Sequence, residues 1–168
     1  DFKIVEGHDI TKYYHEDTYF KINGTLGSSC MRGEDCVTYF KLYEDVAKLL
    51  ICVKQDKILG RAILWYLDNG IIIMDRVYVC DDYLEEQFIL YAKEHKWWMK
   101  ESNTLLNDGE CASWIGPIDD YKYPVNLRIY IQLDKKYNLF PYIDSFRYYD
   151  SEGNKLSTMR FAKDYQIS

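Results

Sequence analysis

No run of apolar residues in this chain approaches the ~20 that a membrane-spanning helix needs. The longest, around Ile63 to Leu67 and Ile71 to Met74, have the length of core strands. A basic excess is also lacking: 21 Lys and Arg stand against 27 Asp and Glu, well mixed, for a net charge of -6. Proteins that grip a nucleic-acid backbone draw most of their affinity from neutralising phosphates, so a nucleic-acid partner is not expected. There is no CxxC pair among the five cysteines, and the C-x5-C spacing of Cys30 and Cys36 falls outside zinc-ligand spacing, so no metal is expected. Cys52, within "LLICVK", and Cys80, ending "DRVYVC", read as strand residues. Such usage, with free thiols as small hydrophobes, is that of a reducing compartment, and a cytoplasmic setting is expected. The chain opens with neither a secretory signal nor an initiator Met, which allows a trimmed N-terminus. Repeats, low-complexity tracts and domain linkers are missing, and 168 residues fit one domain, 1–168.

What is present in excess is aromatic: 17% of residues, with 17 tyrosines. Tyr has a large apolar body and a polar tip, so many should sit half-buried, in a core built on Tyr or on a contact surface. Asp9 is read as the N-cap of a short helix over about 9–18, and "EDCVTYFKLYEDVAKLL" as a second helix with Cys36, Phe40, Tyr43 and Ala47 on its buried stripe. "LLICVKQ", "ILGRAILWYL" and "IIIMDRVYVC" form an antiparallel meander, its second turn at "DNG". "DDYLEEQFILYAKEHKWWMK" is the clearest helix, with Asp82 and Glu85 as a capping box. A short strand near Cys111 to Ile115, a strand "VNLRIYIQL" and a hairpin around "SEGN" follow. The order predicts an α+β fold: a mixed, mostly antiparallel sheet with helices packed on it.

Candidate chemistry is sparse. Cys30 with His8, His15 or His95 could form a Cys–His nucleophile pair, or Cys30 is a packed thiol beside a helix start. Asp75-Arg76 interrupts an apolar strand, and a buried carboxylate needs a partner. Simple alternation puts Asp75 with Ile73 and Val77 on one face and Arg76 with Met74 and Tyr78 on the other. If Leu67 faces Ile71, Asp75 lies opposite Ile63, with Arg61 its diagonal neighbour. The pair is then a structural ion pair or a polar site, with Asp75, Arg61, Tyr78 and Cys30 as catalytic candidates. Within "GTLGSSCMRGEDC", Gly33 to Cys36 opens the second helix, and Arg32 has no evident structural role; it is expected to meet Asp75 or a neighbouring acid. Trp97 and Trp98, about 100° apart round a helix, cannot both point into one core. Arg32, Arg76, Trp97 and Trp98 are therefore the binding candidates.

By order of elements, residues 9 to 133 resemble the GNAT acyltransferase core: paired helices, a three-strand meander with Gly60 in its second strand, a long helix and further strands. That resemblance implies CoA as acyl donor, held by a glycine-rich loop, R/Q-x-x-G-x-G/A, ahead of the long helix. This chain has "VYVCDDYLEEQ" there, with no glycine and with Asp81, Asp82, Glu85 and Glu86 around the helix end that an anion would use. Two unit charges ~4 Å apart interact by about 4 kcal/mol at an effective dielectric of ~20, so these carboxylates oppose a pyrophosphate, and no cofactor is expected, CoA included. The strings "SSCMR", "GRAILW" and "MDRVYV" are similar to those of phage-encoded proteins, a resemblance that carries no activity with it.

Two readings follow. One is a non-catalytic phage accessory protein in the cytoplasm of an infected host cell, binding a host or viral protein through a Tyr/Trp-rich acidic surface. The other is an acyltransferase-like enzyme on a GNAT-like scaffold with a non-standard donor site. A virion structural component is a third. The missing CoA loop weights the first over the enzyme.

Overall fold

The computed structural model describes residues 1–32, 40–101, 113–137, 140, 145–160 and 164–166. Residues 33–39, including Cys36, and Cys111 lie outside the described residues. The fold is α+β. Strand β1 (Phe2–Val5) leads into helix α1 (His8–Tyr14), a 3-10 turn at Glu16–Thr18, the one-turn α2 (Gly24–Gly27) and α3 (Phe40–Val46). The meander β2 (Ala47–Lys54), β3 (Lys57–Tyr66) and β4 (Ile72–Val79) then runs into α4 (Tyr83–Glu94). Strands β5 (Trp98–Lys100), β6 (Ser113–Ile115) and β7 (Val125–Asn126) complete a seven-stranded sheet in the order β1 to β7. All its pairs are antiparallel except β4 with β5. Strands β8 (Tyr130–Gln132), β9 (Tyr148–Asp150), β10 (Lys155–Ser157) and β11 (Tyr165–Gln166) form a second sheet, in the order β11-β9-β10-β8.

Helices cover both faces of the large sheet. On one, α4 buries Leu84, Phe88 and Ala92 against β4 and β5. Gly60 permits that approach, since a Cβ there would lie 2.7 Å from Val79 and 3.1 Å from Phe88. On the other face, Tyr14 of α1 packs with Phe40 and Tyr43 of α3 toward β3. Aromatic contacts run on from there: Tyr43 meets Trp65 at 6.0 Å between ring centroids, Trp65 meets Phe146 at 4.8 Å and Phe146 meets Trp114 at 6.4 Å. Phe146 comes from the segment leading into the small sheet, so this chain of rings joins the two sheets.

Several boundaries differ from the sequence reading. Gly7, not Asp9, is the N-cap of α1, and Asp9 sits in the first turn. "AKLL" is not the end of α3 but the start of β2, where Ala47, Leu49 and Leu50 are buried. Asp82 makes no side-chain capping bond. The long helix stops at Glu94, and Lys96 has a positive φ of 58°, which reverses the chain into β5. "VNLRIYIQL" is two strands, β7 and β8, one in each sheet. The turns at Gln55-Asp56 and at Gly70 have the positive φ that tight hairpins require.

Candidate functional site

The site grows from an irregularity in β4. From the hairpin turn inward, Tyr66 pairs with Ile72, Trp65 with Ile73 and Leu64 with Met74. Further along, Ala62 pairs with Val77, Arg61 with Tyr78 and Gly60 with Val79. Asp75 and Arg76 thus both stand opposite Ile63, a β-bulge, in which one extra residue breaks alternation and bends the strand. This overturns the expected faces. Asp75, Arg76 and Tyr78 line one cavity of about 30 Å³ together with Arg61, where simple alternation separated Asp75 from the other two. By that measure one water needs about 10–15 Å³, so the cavity has room for more than a single water-sized group.

Asp75 is only 6% exposed and is held by neutral donors. Trp65 Nε1–H donates to Oδ2 at 3.0 Å, Ser145 Oγ–H to Oδ1 at 2.7 Å, and the Arg76 backbone N–H to Oδ1 at 2.8 Å. These bonds use three of the roughly four acceptor positions of a carboxylate. They also tie Asp75 to β3 and to the segment that enters the small sheet. Neither Arg61 nor Arg32 is among its partners, so the expected ion pair is replaced by a buried hydrogen-bonded hub.

Arg61 is 1% exposed and no carboxylate of the described residues pairs with it. Aromatic rings surround it: the guanidinium carbon lies 4.0 Å from the centroid of Tyr14, 4.7 Å from Tyr78 and 6.0 Å from Tyr19. Stacking on ring faces attracts the cation through the ring quadrupole, by about 2 kcal/mol or more where water is excluded. Nη2 donates to Ser29 Oγ at 3.0 Å and to the Tyr19 hydroxyl at 3.3 Å, and Nε has no partner among the described residues. Burial works to lower the pKa of Arg61, but electrostatic interaction with Tyr14, Tyr19 and Tyr78 and the hydrogen bond to Tyr19 raise it, and the net direction is upward. The guanidinium stays charged.

The other candidates lie elsewhere. Arg32 pairs with Glu16 at 3.1 Å, with both side chains 39% exposed, so the neighbouring acid it meets belongs to the 3-10 turn and not to β4. An ion pair that wet contributes little. Arg32→Ala should cost less than ~1 kcal/mol in urea unfolding. Cys30 is exposed rather than packed, while Ser29 and Met31 on either side turn inward. Trp97 and Trp98 are both buried, at 4% and 8% exposure. They do not share a helix: Trp98 belongs to β5, and Trp97 lies beside Tyr91 and His95. Burial raises the pKa of the Cys80 thiol and the charge of Asp81 raises it further, which keeps that thiol protonated.

The far end of β4 is closed by the opening loop. Cys80 N–H donates to Leu59 C=O, which turns the N–H and C=O of Val79 away from β3. Thr25 Oγ takes both, accepting from Val79 N–H at 2.8 Å and lying 3.2 Å from Val79 C=O. Gly24 sits so close that a Cβ would stand 2.5 Å from the Val79 carbonyl oxygen. Just beyond, Asp81 pairs with Lys21 at 2.9 Å.

Arg61, Asp75, Arg76 and Tyr78 were legible in the sequence as site residues; Tyr14, Tyr19, Ser29, Trp65 and Ser145 were not. The spacing of Tyr14 and Tyr19 and the polar Ser29 within "SSCMR" were the available signals. Chemically, the pocket offers a fixed cation, tyrosine faces and hydroxyls, and a carboxylate already in use. No family model matches the chain, and neither does any curated protein or solved structure.

Proposed function

We propose that this protein is a non-catalytic ligand-binding protein on a GNAT-like scaffold whose usual CoA site has been given up, and that its working part is the pocket formed by Arg61, Asp75, Arg76 and Tyr78. One observation carries this: Arg61, buried with no carboxylate partner among the described residues, shares with Asp75, Arg76 and Tyr78 a single small cavity whose lining also includes Ser29 and Met31 of the opening loop. Segments far apart in the chain supply one small polar site. A phage accessory role in the host cytoplasm is the setting that the resemblance to phage-encoded proteins suggests.

The scaffold reading rests on element order: helices, the β2–β3–β4 meander, then α4 and further strands. Loss of the CoA site is supported by three features at the end of β4: the lack of glycine, the acids Asp81 and Asp82, and the loop Gly24–Thr25 seated on Val79. A Tyr/Trp-rich docking surface has less behind it, because all four tryptophans, its strongest anchors, are buried. Thermal-shift measurements with CoA, acetyl-CoA, nucleotides and a panel of small metabolites test the proposal. We expect no shift with CoA or acetyl-CoA and a saturable shift with a small polar compound. A saturable shift with acetyl-CoA would overturn it.

A further inference from the structure

We infer that the pocket takes a small anionic group, a carboxylate or an oxyanion, with Arg61 as its main anchor; this rests on the proposed function above. Arg61 is buried beyond water, yet nothing acidic among the described residues neutralises it. An uncompensated buried charge costs several kcal/mol, and proteins retain one where it has a use. The tyrosine cage does not replace an anion. The guanidinium carbon lies over the Tyr14 and Tyr78 rings, and a ring face attracts the charge without supplying the oxygen acceptors that guanidinium N–H groups bond best. Both of its hydrogen bonds leave from Nη2, and Nε is without a partner among the described residues. The guanidinium fork suits two oxygens of one carboxylate or phosphate-like group.

The rest of the cavity agrees. Ser29 Oγ accepts from Arg61 and from Met31 N–H, which leaves its own O–H to donate. Arg76 supplies a second cation to the lining. Asp75 is the one acid there among the described residues, and its three neutral donors hold it in place. At about 30 Å³ the cavity admits the charged head of a ligand, not a cofactor.

The test is thermal unfolding at constant ionic strength, with chloride replaced stepwise by formate, acetate or inorganic phosphate, and with glycerol and tetramethylammonium as neutral and cationic controls. A ligand at a hundred times its Kd should raise Tm by about 5–10 °C. We expect a saturable rise with at least one of the three anions, abolished in Arg61→Met. Where Arg61→Met fails to fold, Ser29→Ala takes its place, and we expect it to weaken binding about tenfold by removing one donor. No rise with any of the three anions, or the same rise in the variant, overturns the inference. A shift with glycerol or tetramethylammonium alone that the variant abolishes would keep the pocket as the working site and remove only its anion preference. Silence from every probe in this series and in the metabolite panel would remove both.

Discussion

Asp75→Ala is expected to cost about 3–5 kcal/mol, the loss typical of breaking a buried charged network. Three donors depend on this carboxylate: Trp65 Nε1–H, Ser145 Oγ–H and the Arg76 backbone N–H. Alanine leaves them without a partner in a site that water scarcely reaches, and it opens a void beside Trp65. For a chain of this length that is a fall in Tm of roughly 6–20 °C. Asp75→Asn keeps the volume and one acceptor oxygen but turns an NH2 group toward a donor, so its loss should be about half as large. Urea unfolding of the three proteins measures this. A loss under ~1 kcal/mol for Asp75→Ala would mean that Asp75 does not hold the sheets together.

The second large effect belongs to Gly24→Ala. Gly24 has φ of +59°, where an L side chain is strained, and its Cβ would meet backbone, not a yielding side chain. The Val79 oxygen would lie 2.5 Å away and the Cys80 oxygen 2.8 Å. The loop must lift, and Thr25 then loses both its contacts with Val79. Left-handed strain of about 1–2 kcal/mol and one or two lost hydrogen bonds add to about 2–4 kcal/mol. Thr25→Val separates the parts: it keeps the shape and removes the hydroxyl, for an expected loss of about 1–3 kcal/mol. Wild-type stability in Gly24→Ala would show that the loop does not depend on its seat on β4.

Both positions say something about legibility. The meander, the "DNG" turn, the helix from Tyr83 and the hairpin at "SEGN" could all be read from apolar pattern and turn residues. The bulge at Asp75-Arg76 could not, because it carries no glycine and alternation is the only rule a sequence offers there. It decides the site, since it brings Asp75 to the face that holds Arg76 and Tyr78. Ala47 to Leu50 and Lys96 to Lys100 have helix-forming composition, but β-pairing and the burial of Leu49, Leu50, Trp97 and Trp98 win over propensity. Strand β1 is four residues long at the sheet edge, too short to announce itself. The Arg61 cage draws Tyr14, Tyr19 and Tyr78 from distant parts of the chain, so only the fold reveals why tyrosine is so frequent at its centre.

The most direct test of the account is to locate an anion in crystals of the wild-type protein grown in selenate, an oxyanion visible by its anomalous scattering. The account predicts a selenium peak in the cavity lined by Arg61, Ser29 and Arg76, lost in Arg61→Met. Selenate confined to surface lysines, with only water in that cavity, would contradict it.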